Sequence, residues 1–210
     1  MSSAVSILQK SLFEYKYNLP ADQVEKLETY IKELLKWNKA YNLTGFKTEQ
    51  EMVNKNVIDS LSVSEFLIGN SVLDVGTGAG FPGLPLAIVN PKKTFTLLDS
   101  SQKRIAFLRN LITLLGINNV NLVCSRVEDF TGSFTSITSR AFASLEKMLV
   151  LTGHLCDENG CFLAMKGKLD KEEITNIPKG FVVDKTLFLD SLVKLGERHL
   201  VVVRKTINKE

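Results

Sequence analysis

The chain has 210 residues, enough to bury a full core in one domain with a small extension. Hydrophobic residues make up 44%, charged residues 23%, and the net charge is +3, which is ordinary for a globular protein and too mildly basic for one that coats nucleic acid. Cys124, Cys156 and Cys161 form no disulfide framework, Met1 to Gln9 lacks the pattern of a signal peptide, and no apolar run reaches the roughly 18 to 20 residues that span a bilayer. A reduced, cytoplasmic protein without a membrane partner is expected.

The first sixty residues read as helical. Val24, Leu27, Ile31, Leu34 and Leu35 form one stripe at three- and four-residue spacing, with Pro20 near the helix start. Thr44 and Gly45 break the pattern, and a second helix is expected over Glu49 to Phe66. Eight lysines balance eight acids in these sixty residues, so the segment is no basic arm. Residues 1–66 are expected to cap one end of a sheet formed by residues 67–210, the whole being one compact unit.

From Val72 short apolar runs alternate with helical stretches. Strands are expected at Val72–Val75, Thr94–Leu98, Val120–Val123, Ser136–Thr138 and Cys161–Met165. Helices are expected at Leu84–Val89, Lys103–Leu115 and Leu145–Leu155, with a turn or short helix at Val127–Phe130. This alternation indicates an α/β fold with a mostly parallel sheet. Phe181–Leu189 and His199–Arg204 have no helix between them and are expected to pair antiparallel at the edge.

The chemistry concentrates in Val72-Leu73-Asp74-Val75-Gly76-Thr77-Gly78-Ala79-Gly80-Phe81-Pro82-Gly83. A buried strand runs into a glycine-rich turn and then a helix, so backbone N–H groups and the positive end of the helix dipole meet a ligand there. Gly76, Gly78 and Gly80 make the alternating pattern of a methyl-donor site, whereas Gly78, Gly80 and Gly83 fit a dinucleotide site. Asp74, in an apolar strand end, is costly to bury unless paired. It either caps N–H groups of the turn or approaches the ligand. Asp99 ends the next strand, 23 residues beyond Gly76, where an acid hydrogen-bonds the ribose of an adenosine-containing ligand or caps the following helix. Val127 and Glu128 follow the third strand, where the loop lines an adenine pocket or simply opens a solvated helix. Arg140, after the fourth strand, is suited to clamp a phosphate or a carboxylate, or to form a structural salt bridge. His154, Cys156 and Cys161 match no zinc spacing, and neither a P-loop lysine nor a hydrolase elbow is present. Lys103, Arg104, Arg109, Arg126, Lys166 and Arg198 are scattered basic residues, with charge too evenly spread to mark a patch.

Six segments together resemble a known family. They are Trp37-Asn38-Lys39-Ala40-Tyr41-Asn42-Leu43-Thr44, Asp74 to Gly83, Leu97-Leu98-Asp99-Ser100, Ser125-Arg126-Val127-Glu128, Ser139-Arg140-Ala141-Phe142-Ala143 and Gly196-Glu197-Arg198-His199-Leu200. Read as a set, they are similar to the small-subunit ribosomal RNA methyltransferase G family, also called RsmG or glucose-inhibited division protein B. The resemblance covers nearly the whole chain and implies a class I, Rossmann-like methyltransferase using S-adenosylmethionine. It implies methylation of N7 of one guanine in small-subunit ribosomal RNA, with the RNA or the 30S particle as partner and a monomer as the working form. The family's donor contacts fall on Gly76, Phe81, Val127, Glu128 and Arg140, and the residue reading adds Gly78, Gly80 and Asp99. Arg140 has a positioning role, and no acid or base catalyst or metal is assigned. Asn42, Lys166, Arg198 and His199 are the RNA-contact candidates. Lys55-Asn56 departs from the Arg-His pair of many members, so no role of that histidine carries over. A nicotinamide-dependent oxidoreductase and a non-enzymatic ribosome-assembly factor are the competing readings.

Overall fold

The computed structural model describes residues 3–140, 144–189 and 196–206. Ala141, Phe142 and Ala143 of the fourth-strand motif lie outside them. Two helices open the chain, α1 (Ser3–Glu14) and α2 (Ala21–Tyr41), the latter entered from Pro20. Next come α3 (Glu49–Met52), a π-helical turn (Val53–Ile58), α4 (Asp59–Leu61) and a 3-10 turn (Ser64–Phe66). Sequence periodicity therefore locates this last stretch but misses its break into four pieces.

The remaining elements are β1 (Ser71–Val75), α5 (Gly83–Val89), β2 (Thr94–Asp99), α6 (Gln102–Leu114), β3 (Val120–Cys124) and a 3-10 turn (Val127–Asp129). They continue with β4 (Phe134–Arg140), α7 (Leu145–Thr152), β5 (Cys156–Lys166), the short α8 (Lys171–Thr175), β6 (Phe181–Phe188) and β7 (His199–Lys205). The strands form one sheet in the order β3-β2-β1-β4-β5-β7-β6. β1 to β5 run parallel, and β7 pairs antiparallel with both β5 and β6. The strand order reverses between β1 and β4, which opens a crevice at the carboxyl ends of these strands, the usual place for a ligand in such a sheet.

β4 extends beyond the expected Ser136–Thr138 at both ends, where Phe134 pairs with Cys156 and Ser139 and Arg140 pair with Ala164 and Met165 of β5, and its central polar side chains are satisfied internally. Thr138 donates to the carbonyl of Leu73, and Ser136 donates to that of Ile68. β5 is also longer, starting at Cys156 and passing an irregularity in its pairing with β4.

The cap and the sheet share one core. Leu8, Leu27, Tyr30, Ile31, Leu34 and Met52 of the cap belong to the same buried cluster as Val72, Phe81, Phe95 and Phe107. The opposite face of the sheet is covered by α7, with Leu145, Met148 and Leu149 packing on Leu73, Ile137 and Phe162. No helix among the described residues is long and apolar enough to cross a membrane.

Candidate active site

The turn after β1 is held open by one carboxylate. Asp74 is fully buried, and its Oδ2 accepts from Thr77 Oγ1 at 2.6 Å and from the Gly83 N–H at 2.8 Å. Its Oδ1 accepts from Thr138 Oγ1 at 3.3 Å. These bonds join both ends of the turn to β4. Burial pushes the Asp74 carboxyl up to about 6, although Thr77, Gly83 and Thr138 all favour its charged form. Asp74 is thus spent on the turn itself.

The three central glycines have different duties. Gly78 has φ +61°, and a Cβ there meets nothing nearer than the Gly76 carbonyl at 3.9 Å, so its bare side faces open space. Gly80 is packed instead: a Cβ there lies 2.9 Å from Leu108 and 3.0 Å from the Tyr30 hydroxyl, and Gly80 lines neither cavity described below. Gly83 begins α5 against Leu97 and Asp74, with no room for a side chain. In the dinucleotide-like spacing of Gly78, Gly80 and Gly83, the last two glycines therefore have a packing origin.

On one side of Gly76 lies a cavity of about 380 Å³, walled by Leu98, Asp99, Arg104, Val127 and Glu128. Asp99 is almost buried. Its Oδ1 accepts from Ser101 N–H at 2.9 Å, and its Oδ2 accepts from Gly78 N–H at 2.9 Å and Arg104 Nη1 at 3.2 Å. A carboxylate offers about four lone-pair sites, so one remains for a ligand hydroxyl. The helix cap itself is Ser101, whose side chain accepts from the Arg104 N–H. Val127 is buried and Glu128 exposed at the rim.

On the other side of Gly76 lies a second cavity of about 470 Å³. It is lined by Gly78, Ala79, Phe81 and Arg140 from the core and by Leu43, Phe46 and Asn56 from the cap. Gly76 and Arg104 border both cavities. The wall of the second is layered. The Tyr30 ring stacks on Phe81 at 5.2 Å, and the Arg140 guanidinium lies 5.2 Å from the centre of the Phe81 ring. Tyr30 donates to the Ala79 carbonyl at 2.7 Å, so α2 supports the glycine turn from behind. Its burial holds its hydroxyl well above the ordinary range.

Arg140 is fixed by the cap. It donates to the Lys55 carbonyl from Nη1 and to Asn56 Oδ1 from Nη2, the latter at 2.7 Å. Asp59 Oδ2 lies 3.7 Å from Arg140 Nη1, and Asp59 Oδ1 lies 3.3 Å from Arg198 Nε. The π-helical turn re-aims the backbone that receives Arg140, a frequent use of such turns at functional sites. Burial lowers the Arg140 pKa and raises that of Asp59, and their mutual attraction opposes both shifts.

Sequence reasoning noted Asn56 only as part of a departure from the family pattern and Arg104 only among scattered basic residues, and it missed Tyr30 and Asp59 as parts of this site. Tyr30 carried the one available clue. It sits beside Ile31 on the apolar stripe, where a tyrosine needs a partner for its hydroxyl.

The RNA-contact candidates divide. Asn42 is exposed and ends α2 in the left-handed conformation, φ 48° and ψ 53°. Lys166 pairs with Glu173 at 2.6 Å, and the His199 ring contacts the Gly167 carbonyl at 2.7 Å. Lys166 and Arg198 flank a third crevice beside Arg140.

The model of a family described as rRNA small subunit methyltransferase G (GidB) matches residues 23–201. The chain is 48% identical over 184 residues to "Ribosomal RNA small subunit methyltransferase G" of Haemophilus influenzae (strain PittEE), covering 87% of this chain and 91% of that protein. It is 46% identical over 199 residues to the protein of the same name from Actinobacillus pleuropneumoniae serotype 5b (strain L20), covering 94% and 97%. Among solved structures, magnesium protoporphyrin IX methyltransferase (ChlM) from Synechocystis PCC 6803 with bound SAM superposes with a TM-score of 0.61 at 14% identity, over 90% of this chain and 99% of that one. This likeness shows the fold, that of a class I methyltransferase. By match length and identity together, the chain belongs to the rRNA small subunit methyltransferase G (GidB) family.

Proposed function

We propose that this protein transfers a methyl group from S-adenosylmethionine to N7 of one guanine in small-subunit ribosomal RNA. The observation that carries the reading is the pair of cavities meeting at Gly76, with Asp99 in one and Arg140 in the other. The residues fit the donor. Asp99 keeps a lone-pair site for a ribose hydroxyl, Val127 gives an apolar wall for a base, and the bare side of Gly78 leaves the room a side chain would fill. Gly76, Phe81, Glu128 and Arg140 complete the set, whereas Gly80 acts by close packing.

When bound, S-adenosylmethionine supplies an electrophilic methyl on a positively charged sulfur. The protein's share is placement. Guanine N7 has a lone pair and no proton at neutral pH, so no general base is required. Phe81 and Leu43 give the second cavity an apolar wall, and Arg140, anchored to Asn56 and backed by Phe81, orients what enters it. Such positioning contributes on the order of 7–11 kcal/mol in favourable cases. The reading carries with it a monomer working in the cytoplasm on ribosomal RNA or the 30S particle.

The test is transfer of a labelled methyl group to undermethylated small-subunit RNA, followed by mapping of the modified base by primer extension after cleavage at 7-methylguanine. Incorporation at one guanine is expected. Intact donor binding without incorporation favours an assembly factor instead. Gly78→Val and Asp99→Ala are each expected to weaken S-adenosylmethionine binding at least tenfold by calorimetry while leaving the circular dichroism unchanged. Unaltered affinity in both variants removes the assigned donor pocket.

A further inference from the structure

A third crevice, of about 330 Å³, opens between the cap and the end of β5 beside the start of β7. It is lined by Lys55, Asp59, Arg140, Lys166 and Arg198, together with Met165 and Gly167. Lys55 and Arg140 also line the second cavity, so the two spaces are neighbours across the Arg140 side chain. Four cations meet one acid in this lining, but their charges are not equally compensated. Lys55 pairs with Glu51 at 2.9 Å and Lys166 with Glu173 at 2.6 Å. Asp59 is shared by Arg140 and Arg198, so among the described residues two guanidiniums face one carboxylate and one positive charge is left over.

That excess charge sits in a partly desolvated place. The Arg140 and Arg198 side chains are 22% and 18% exposed, and that of Asp59 6%. Arg198 uses Nε on Asp59 and one N–H of Nη1 on the Glu197 carbonyl at 2.8 Å. Further N–H groups on both Nη atoms are accepted by no described residue. A guanidinium in this state suits a singly charged oxyanion with two acceptor oxygens.

We propose that this crevice seats one phosphodiester of the RNA strand next to the target guanine, with Arg198 as its main donor and Arg140 shared between the phosphate and the reacting base. This rests on the RNA-methylating reading of the adjoining site. A base in the second cavity and its own backbone phosphate in the crevice are joined through one sugar, which matches two spaces divided by a single side chain. One phosphodiester charge neutralises the one uncompensated guanidinium. The carboxylate of the methyl donor is the other monoanion available to Arg140, but Arg198 borders neither cavity beside Gly76.

The experiment measures RNA binding by the full-length protein as a function of salt, together with S-adenosylmethionine binding by calorimetry, for Arg198→Gln and Arg198→Lys. Arg198→Gln is expected to weaken RNA binding about tenfold and to reduce the slope of log affinity against log salt by about 0.7 to 1, the signature of one lost phosphate contact. Its donor affinity is expected to stay within twofold of wild type. Arg198→Lys keeps the charge and is expected to retain the slope with a smaller loss of affinity. An unchanged salt slope in Arg198→Gln overturns the proposal while leaving methyl transfer by the wild type in place. So does a fall in donor affinity without a change of slope, which assigns the anion to the donor. A wild type that methylates no small-subunit RNA overturns the underlying reading and the phosphate seat with it.

Discussion

Arg140 is held by three residues of the cap, Lys55, Asn56 and Asp59. Beside the bond from Nη1 to the Lys55 carbonyl, a 2.7 Å bond from Arg140 Nη2 to Asn56 Oδ1 joins β4 to the cap at the edge of the second cavity. Asn56→Ala leaves that N–H without its acceptor, a loss of about 1.5–3 kcal/mol for a bond to a charged group. The expected result is a fall of roughly tenfold or more in kcat at saturating RNA, with donor affinity less affected. Asn56→Asp keeps the acceptor and is expected to recover most of the rate; equal losses in both variants argue against a positioning role for the bond. Asp74 makes a different prediction. Its folded pKa of about 6 lies above the ordinary 3.8, so between these values the folded chain holds more protons than the unfolded one. Stability is therefore greatest below pH 3.8 as far as this group is concerned, and it is lost as pH rises through about 6. The shift is worth about 3 kcal/mol in total. In urea titrations from pH 4 to 7, wild type is expected to lose stability relative to Asp74→Asn over this window. Parallel curves for the two proteins rule the effect out.

At the scale of elements, the segment Trp37 to Thr44 turns from a sequence signature into a mechanical part. Trp37 packs on Phe107 of α6 at 5.4 Å, and Asn38 Oδ1 accepts from the Thr44 N–H at 2.8 Å. Asn42 ends the helix, and Leu43 is thereby delivered to the wall of the second cavity. The order of strands and helices was legible in the sequence because apolar runs and glycine turns are local signals. The full length of β4 was not: Ser136–Thr138 reads as a strand, but Phe134, Ser139 and Arg140 join it only through pairing with Cys156, Ala164 and Met165 of β5, which is no local signal. The glycine turn and the acid ending β2 were legible for the same local reason. Asn56 and Asp59 were not, because their meaning comes from Arg140 and Arg198, more than eighty residues away in the chain. Tyr30 is the link from α2 to the turn, and Tyr30→Phe removes only its bond to the Ala79 carbonyl. A buried carbonyl left without its donor costs about 1–3 kcal/mol. We expect a loss of that size in chemical denaturation, accompanied by weaker S-adenosylmethionine binding. Full donor affinity in the variant shows that the turn holds its shape without α2.

At the scale of the whole molecule, the cap and the sheet behave as parts of one body if their common core governs folding. We propose that residues 1–66 are no independent domain. Leu27, Tyr30 and Leu34 of α2 have no exposed surface, α2 packs on α5 and α6, and Leu84 and Phe107 of those helices are buried in the same cluster. Separating the two parts exposes both sides of this interface, at about 25 cal/mol for each Å² of apolar surface uncovered. Trp37 is the chain's one tryptophan, and it lies on the cap side of the contact with α6. Its fluorescence therefore reports the cap's docking, while far-ultraviolet circular dichroism reports the sheet and helices together. In a urea titration the two signals are expected to give coincident transitions, as for a two-state unit. S-adenosylmethionine, bound at a turn that both parts support, is expected to move both midpoints upward by the same amount. A tryptophan transition at lower urea than the dichroism transition shows that the cap undocks first, and a donor effect on only one of the two signals shows that the site belongs to that part alone.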